Sequence, residues 1–371
     1  MNSTLLTRRS AAMLLLASLS ACGGGGGGGD ESGGSGGGTG GGGTGGGTGG
    51  GGTGGGTGGG TTDPGTGGGG TGGGTGGGTT AVTGQYRLEP AAASFSVALA
   101  TANQLGAQGY AHISTLGAGV GNNVAMGDFY VSDSAHTSAR LDYVADADVA
   151  SVSALVAQAN QRGAQGYMYK SGAVFPANQN DIRNLYVRDA SLGRTYTYEA
   201  AMSDNSAMSA KSLGDELARM GGRGFRWLGP MIIGSQMFNL YCKDSVGTTY
   251  DYTLATPSGP YGEKNAAELK KVLDAMGAQG RLSRGELVIG GGAAVSVWEK
   301  SSRQAGAIQY LVESDVSTDT LAKMKSRLDA NAAKGFFFLT SYSTSDNVIH
   351  NVSTLNAATV LHPLAGVAFP G

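Results

Sequence analysis

Cysteine and histidine are both scarce in this sequence. The chain has 2 cysteines and 4 histidines in 371 residues, and it contains no H-x-x-H or C-x-x-C spacing. The histidines are scattered at His112, His136, His350 and His362. Metal sites built from such ligands need them in clusters, so the sequence predicts no metal and no cofactor. We also assign no catalytic residue.

Charge and long apolar runs are limited as well. Only 14% of the residues are charged, and the net charge is −2. Lysine and arginine form no local cluster and no stripe with interleaved aromatics, so we expect no nucleic-acid partner. The apolar run at residues 11–19 is much shorter than the roughly 20 residues that span a bilayer.

The N terminus has the order of a secretory signal peptide. Arg8 and Arg9 precede the apolar run, which ends in Leu19-Ser20-Ala21-Cys22. These four residues resemble the lipobox of bacterial lipoproteins. The resemblance implies cleavage before Cys22 and attachment of a diacylglycerol to its thiol, so residues 1–22 are expected to be a lipoprotein signal peptide including the lipidated Cys22. The paired arginines leave both Sec and twin-arginine export open.

Lipidation bears on location and on the second cysteine. Gly23 stands where an Asp favours retention in the inner membrane of similar lipoproteins, which indicates the outer membrane, with either a periplasmic or a surface-facing domain. The membrane is then a partner through palmitate-type lipid chains. Cys242 has no cysteine left to pair with, and its apolar strand pattern indicates a buried, unreactive thiol.

Glycine is abundant, and much of it lies in one segment. Residues 23–80 consist mostly of Gly-Gly-Gly-Thr repeats, which have almost nothing apolar to bury, so we expect a disordered tether. As a flexible coil it spans roughly 40–45 Å, and fully extended it reaches about 190–200 Å. A tether of this length suggests a target away from the anchoring leaflet.

The rest of the chain contains five copies of one motif. The copies are LGAQGY at residues 105–110, RGAQGY at 162–167, MGGRGF at 220–225, MGAQGR at 276–281 and AAKGFF at 332–337. They recur about every 57 residues, which indicates a repeat architecture.

Each copy has the same surroundings. An amphipathic helix precedes the glycines, a strand follows them, and a second strand and the opening strand of the next unit come after. The glycines are expected to be structural turns, with the first of each pair ending the helix in a left-handed conformation. They are Gly106, Gly109, Gly163, Gly166, Gly221, Gly224, Gly277, Gly280 and Gly335. In the fifth copy, Ala332 replaces the first glycine.

The L-G-A-x-G-[WY] signature, matched best at residues 105–110, resembles short bacterial domains of unknown function. The resemblance implies a small βαββ fold and supplies no catalytic residues. We therefore expect an α+β protein of five tandem βαββ repeats. The predicted boundaries are 81–138, 139–193, 194–247, 248–306 and 307–371, the last including a C-terminal tail.

Units of about 57 residues are marginal as free-standing domains, so neighbours are expected to share a core. The short connections between units suggest that the last strand of each pairs antiparallel with the first strand of the next. The units form either a linear array or a closed five-bladed α/β ring, which resembles the pentein arrangement in unit count.

Four tyrosines recur at equivalent positions in the opening strands, namely Tyr143, Tyr198, Tyr252 and Tyr310. They are either half-buried sheet residues or a row of aromatics that binds an extended ligand. We expect a non-enzymatic, lipid-anchored binding or structural module of the cell envelope, with peptidoglycan, another glycan or an envelope protein as partner. The alternative is a cell-envelope hydrolase or other enzyme with a site formed between repeats.

Overall fold

The computed structural model describes residues 82–361, except 120–123, 176–177, 204–207, 260–261, 315 and 317. Within this range the order strand, helix, strand, strand occurs five times. The fold is therefore α+β and built from repeated units. The predicted signal peptide, Cys22 and the predicted tether lie outside the described residues.

The elements of the five repeats correspond one to one. The first strands are Gly84–Pro90 (β1), Leu141–Ala147 (β4), Tyr196–Ser203 (β7), Tyr250–Ala255 (β10) and Gln309–Glu313 (β13). The helices are Phe95–Gly106 (α1), Val152–Ala164 (α2), Ala210–Gly222 (α3), Ala266–Gly277 (α4) and Leu321–Ala332 (α5). The second strands are Ala111–Ala118 (β2), Met168–Phe175 (β5), Arg226–Ile233 (β8), Leu282–Val288 (β11) and Phe337–Ser343 (β14). The third strands are Ala125–Asp133 (β3), Asn178–Asp189 (β6), Gln236–Asp244 (β9), Ala294–Ser301 (β12) and Ile349–Leu355 (β15).

Each repeat forms its own three-stranded sheet, with the third strand in the middle and antiparallel to both neighbours. The expected pairing of the last strand with the first strand of the next repeat is therefore wrong. The helix connects the first strand to the second and leaves space for one strand between them. The third strand follows a β-hairpin and occupies this space, so both edges of the third strand are hydrogen-bonded.

Every second strand carries an irregularity close to its start. The register against the third strand shifts between His112 and Ser114 in β2. The same shift occurs at the corresponding position of β5, β8, β11 and β14. A bulge of this kind removes one residue from the ladder, so its backbone groups need partners from elsewhere.

The two glycines of each motif have different roles. The second one has a positive φ in all five copies, for example +84° at Gly109. There the N–H of Tyr110 donates to the carbonyl of Leu105, and the N–H of Gly109 donates to that of Gly106, which is the Schellman pattern that ends a helix. The prediction that the first glycine ends the helix is wrong, because Gly106 is still helical.

The first glycine is a point of close approach between repeats. A Cβ at Gly163 would lie 2.1 Å from the carbonyl oxygen of Tyr196, the first residue of the next repeat's strand β7. Gly106, Gly221 and Gly277 meet the next repeat's backbone carbonyl in the same way, at 2.2–2.3 Å. Only glycine lets the helix lie this close to the strand.

Helical side chains cover the free edge of the next repeat's first strand. The Asn103 amide donates to the carbonyl of Tyr143 (3.0 Å) and accepts from its N–H (2.7 Å). Asn160 makes the same two bonds with Tyr198. These contacts satisfy backbone groups that would otherwise form an open sheet edge.

The fifth repeat contacts the first in the same manner. Helix α5 packs on β1, as α1 packs on β4, and Asp329 accepts a hydrogen bond from the N–H of Tyr86 (2.7 Å). The same apolar cluster includes Leu328 and Phe337 of the fifth repeat and Tyr86 of the first. Of the two arrangements left open by the sequence, these contacts correspond to the closed ring.

All five sheets have the same orientation in this ring. In the first sheet, Gly84 pairs with Asp133 and Ala111 pairs with Val131, so the first and second strands begin where the third strand ends. The helix C-termini contact the beginnings of the next first strands. We call this the entry end, and the opposite end, with helix N-termini and β-hairpins, the hairpin end. No helix in the described ranges has the length and apolar character needed to cross a membrane.

Candidate functional site

The recurring tyrosines lie in the joints between consecutive repeats. The hydroxyl of Tyr143 accepts a hydrogen bond from the N–H of His112, the residue at the bulge of the preceding repeat (2.8 Å). The same bond occurs at the other four joints, at 2.6–2.8 Å: Tyr169 to Tyr198, Trp227 to Tyr252, Ser283 to Tyr310 and Phe338 to Tyr86. Each tyrosine therefore satisfies the backbone group released by a bulge.

Burial excludes these rings from an exposed binding row. Tyr143, Tyr198 and Tyr310 are between 1% and 4% exposed, and Tyr252 is partly buried. Burial raises the pKa of all four hydroxyls above the ordinary tyrosine value. The row of ligand-binding aromatics is therefore corrected to a set of joint residues, which hold the repeats together.

Two joints carry a buried cation that satisfies a backbone carbonyl at the bulge. Lys170 donates to the carbonyl of Ile113 (2.7 Å), and Arg284 donates to that of Trp227 (2.6 Å). Burial lowers the pKa of Lys170 to about 8. Burial and the charge of Arg226 lower the pKa of Arg284 to about 9. Both side chains are therefore predominantly charged at neutral pH.

An ion cluster occupies the joint between the third and fourth repeats. The Nε and Nη2 atoms of Arg226 lie 2.8 and 2.7 Å from Oε1 of Glu299, and the two side chains are 0% and 2% exposed. Arg284 lies 3.6 Å from the same carboxylate. Burial alone would raise the pKa of Glu299, but the two arginine charges outweigh it and hold the pKa below its ordinary value.

A small cavity lies between the fourth and fifth repeats. Its lining residues are Glu263, Leu269, Val272, Leu273, Ser283, Glu286, Ser296, Trp298 and Tyr342. The space open to the centre of a water molecule measures about 10 Å³, which is about what one water needs. The Nε1 of Trp298, a residue that is 2% exposed, has no hydrogen-bond partner among the described residues.

Two carboxyl groups face this cavity. Burial, followed by the negative charge of Glu263, raises the pKa of Glu286 to about 7. Glu263 accepts hydrogen bonds from the N–H (3.0 Å) and the hydroxyl (2.5 Å) of Ser258. A carboxyl that exchanges its proton near neutral pH is suited to general acid–base chemistry, but the cavity is far smaller than the roughly 300–1,000 Å³ of small-molecule sites.

A wider groove runs along the joint between the second and third repeats. Its volume is about 600 Å³. Helix α2, strand β7 and the β8–β9 turn form its walls, which are made by Ser151, Val152, Ser153, Val156, Ala157, Tyr198, Glu199, Ala200, Met202 and Gln236. Met202 is 57% exposed. The groove is large enough for a ligand and is lined mainly by apolar atoms.

The remaining candidate groups are separate from one another. Cys242 is fully buried, and burial raises the pKa of its thiol to about 12, which confirms the interpretation as a buried residue. Burial and the charge of Lys170 lower the pKa of His112 to about 3. His362 lies outside the described residues. No group of three or more His, Cys, Asp or Glu side chains within the described ranges is arranged to hold a metal ion.

Comparison with known protein families shows which family this chain resembles. Residues 78–363 match the model of the PT dipeptide repeat lipoprotein family. The chain belongs to this family. The matched range contains all five repeats and begins where the glycine–threonine segment ends. No curated protein and no solved structure matches the chain. Membership in a lipoprotein family supports a membrane-anchored envelope protein built from repeats.

Sequence reasoning missed the buried ions of this lipoprotein. Arg226 interrupts the apolar strand of the third repeat, and Glu299 directly follows Trp298 in a strand of the fourth. A charge at a strand position where other copies are apolar is the signal that could have found them. The sequence gives no such signal for Glu286. Its neighbour Glu263 lies in the long loop before α4, and only the fold of that loop brings the two carboxyl groups together.

Proposed function

We propose that this chain is a lipid-anchored repeat protein of the cell envelope, acting as a non-enzymatic binding or structural module. Cys22 carries the lipid, the outer membrane holds the anchor, and the closed ring is the working part. The partner is a component of the envelope: peptidoglycan, another glycan or an envelope protein.

The observation that carries this proposal is the lipobox at residues 19–22 in a chain that belongs to a lipoprotein family. The structure supports a rigid module, because every joint repeats the same tyrosine-to-bulge hydrogen bond. The groove beside Met202 has a volume in the range of small-molecule sites.

Among the described residues, the cavity beside Glu286 is the location whose chemistry best fits an enzyme with a site between repeats. Its carboxyl has the pKa of a general acid or base. The cavity, however, accommodates about one water molecule, so a glycan or peptide substrate does not fit beside the carboxyl. The size of the cavity therefore favours the binding module.

The anchor is tested by replacing Cys22 in the full chain, expressed in a bacterium that processes lipoproteins. We expect Cys22→Ala to abolish labelling by radioactive palmitate and to remove the chain from the membrane fraction, because the lipid has no other attachment point. Cys242→Ala is the matched control, and it should keep both the label and the location. A Cys22→Ala chain that stays labelled and sediments with membranes would show that the anchoring proposal is wrong.

A further inference from the structure

The entry end of the ring collects basic side chains that have no acidic partner. Seven lysines and arginines at this end form no ion pair with any described residue. They are Arg140, Arg194, Arg219, Lys243, Lys300, Arg303 and Lys334. The second, third, fourth and fifth repeats each contribute at least one, so the ring brings together charges that are far apart in sequence.

The hairpin end differs in both sign and pairing. All five lysines within the helices form ion pairs three or four residues away on the same helix or at its start, such as Lys211 with Asp215 and Lys323 with Asp319. Acidic residues are common at this end, including Glu89, Asp128, Asp215, Glu268, Glu286, Asp319 and Asp346. Lysines and arginines without an ion pair among the described residues are therefore more numerous at the entry end, which also carries Asp133, Asp142, Asp189, Asp244 and Asp251.

Helix stabilisation accounts for only part of this pattern. A cation in the last turn of a helix interacts favourably with its dipole, and Arg219 has such a position in α3. Arg140, Arg194, Lys300 and Arg303 lie instead at the ends of third strands or in the turns that follow them. The side chain of Lys300 also packs against Gly280 at the end of α4, and the guanidinium groups of Arg140 and Arg194 donate to the carbonyls of Ala139 and Leu361. Arg140, Lys300 and Arg303 are exposed.

The chain crosses the entry end without adding negative charge. The segment after β15 runs past the fourth repeat, where Gln304 binds the carbonyl of Asn356 and the N–H of Ala358 (2.9 and 2.7 Å). It reaches the third repeat, where the hydroxyl of Tyr196 donates to the carbonyl of Leu361 (2.8 Å). Residues 356–361 contain no acidic side chain, so the segment leaves the basic character of this end intact.

We propose that the entry end binds the surface of an anionic phospholipid membrane. Several lysines and arginines on one face are the chemistry that anionic head groups attract, and each adds to binding within a Debye length of the surface. This inference rests on the proposed lipid anchor, which keeps the ring within reach of a membrane.

The test measures sedimentation of the full chain with vesicles. The chain carries Cys22→Ala, so that no lipid is attached and the result is independent of the anchoring experiment. We expect tighter binding to vesicles with phosphatidylglycerol than to pure phosphatidylcholine vesicles, and loss of this preference when salt is raised from about 0.1 M to about 0.5 M. Replacing Lys300, Arg303 and Lys334 by Gln should weaken binding to the anionic vesicles about 10- to 100-fold.

The matched control removes the same charge from the other end. Lys211→Gln, Lys264→Gln and Lys323→Gln together should leave the anionic-vesicle affinity within about twofold, since these residues lie at helix N-termini. Circular dichroism checks that both triple variants are folded. The proposal is overturned if the two variants bind alike, if vesicle charge has no effect, or if soluble dextran sulfate binds as tightly as the anionic vesicles.

Discussion

At the scale of single residues, Glu299 stands out because of its position in the repeat. It pairs in register with Tyr252, as Val131 pairs with Tyr86 and Cys242 with Tyr198. The same position is therefore apolar in the first three repeats, Thr354 in the fifth and charged in the fourth, where Arg226 supplies the opposite charge. Removing one member of a buried pair leaves the other uncompensated, and this loss is larger than the net stabilisation that the pair provides.

Replacing Glu299 by Gln should lower the free energy of unfolding of the chain by about 3–5 kcal/mol, because both Arg226 and Arg284 lose their counter-ion in a buried joint. Urea unfolding followed by circular dichroism measures this change. The control is Asp215→Asn, which removes a carboxylate that is 68% exposed and paired with Lys211, and it should change stability by less than about 0.5 kcal/mol. Equal effects of the two substitutions would contradict the role assigned to the ion cluster.

At the scale of elements, the sequence pattern predicted the order of strands and helices in every repeat but not the roles of the two glycines. Either glycine of G-A-x-G can end a helix by its own conformational freedom. The position of the next repeat's backbone decides between them, since it lies against the first glycine. That contact joins residues 29 to 35 positions apart, such as Gly163 and Tyr196, so local patterning does not show it.

Adjacent glycines at the end of α3 give a direct comparison. A Cβ at Gly221 would lie 2.2 Å from the carbonyl oxygen of Tyr250, whereas a Cβ at Gly222 meets nothing within 4 Å. We expect Gly221→Ala to destabilise the chain by about 1–3 kcal/mol or more through overpacking. Gly222→Ala should be neutral or stabilising by up to about 1 kcal/mol, since alanine favours the helix. Thermal unfolding of both variants measures the difference, and destabilisation of the same size by both would refute the close-approach explanation.

At the scale of the whole molecule, the sequence predicted the number of repeats but not the contact between the first and fifth repeats that closes the ring. The hydroxyl of Tyr86 in the first repeat accepts a hydrogen bond from the fifth repeat, just as that of Tyr143 in the second repeat accepts one from the first. The sequence contains both tyrosines whether or not the first and fifth repeats are in contact. For a similar reason, the sequence did not show the basic entry end. Its cations come from four of the five repeats, so no stretch of sequence is notably basic. The joint tyrosines, in contrast, were correctly located in the strands, and of the two interpretations left open by the sequence, sheet packing and a ligand-binding row, their burial excludes the second.

Closure of the ring is tested most directly by the distance between the first and fifth repeats. Spin labels at Gln85→Cys and Lys334→Cys, in a Cys22→Ala chain, report this distance by double electron–electron resonance, while the buried Cys242 remains unlabelled. The ring predicts a separation below about 30 Å, since β1 packs on α5 and each label adds only a few ångströms. An array of alternating sheets and helices adds about 20 Å per repeat. A separation of roughly 80 Å, four such steps, would contradict the closed ring.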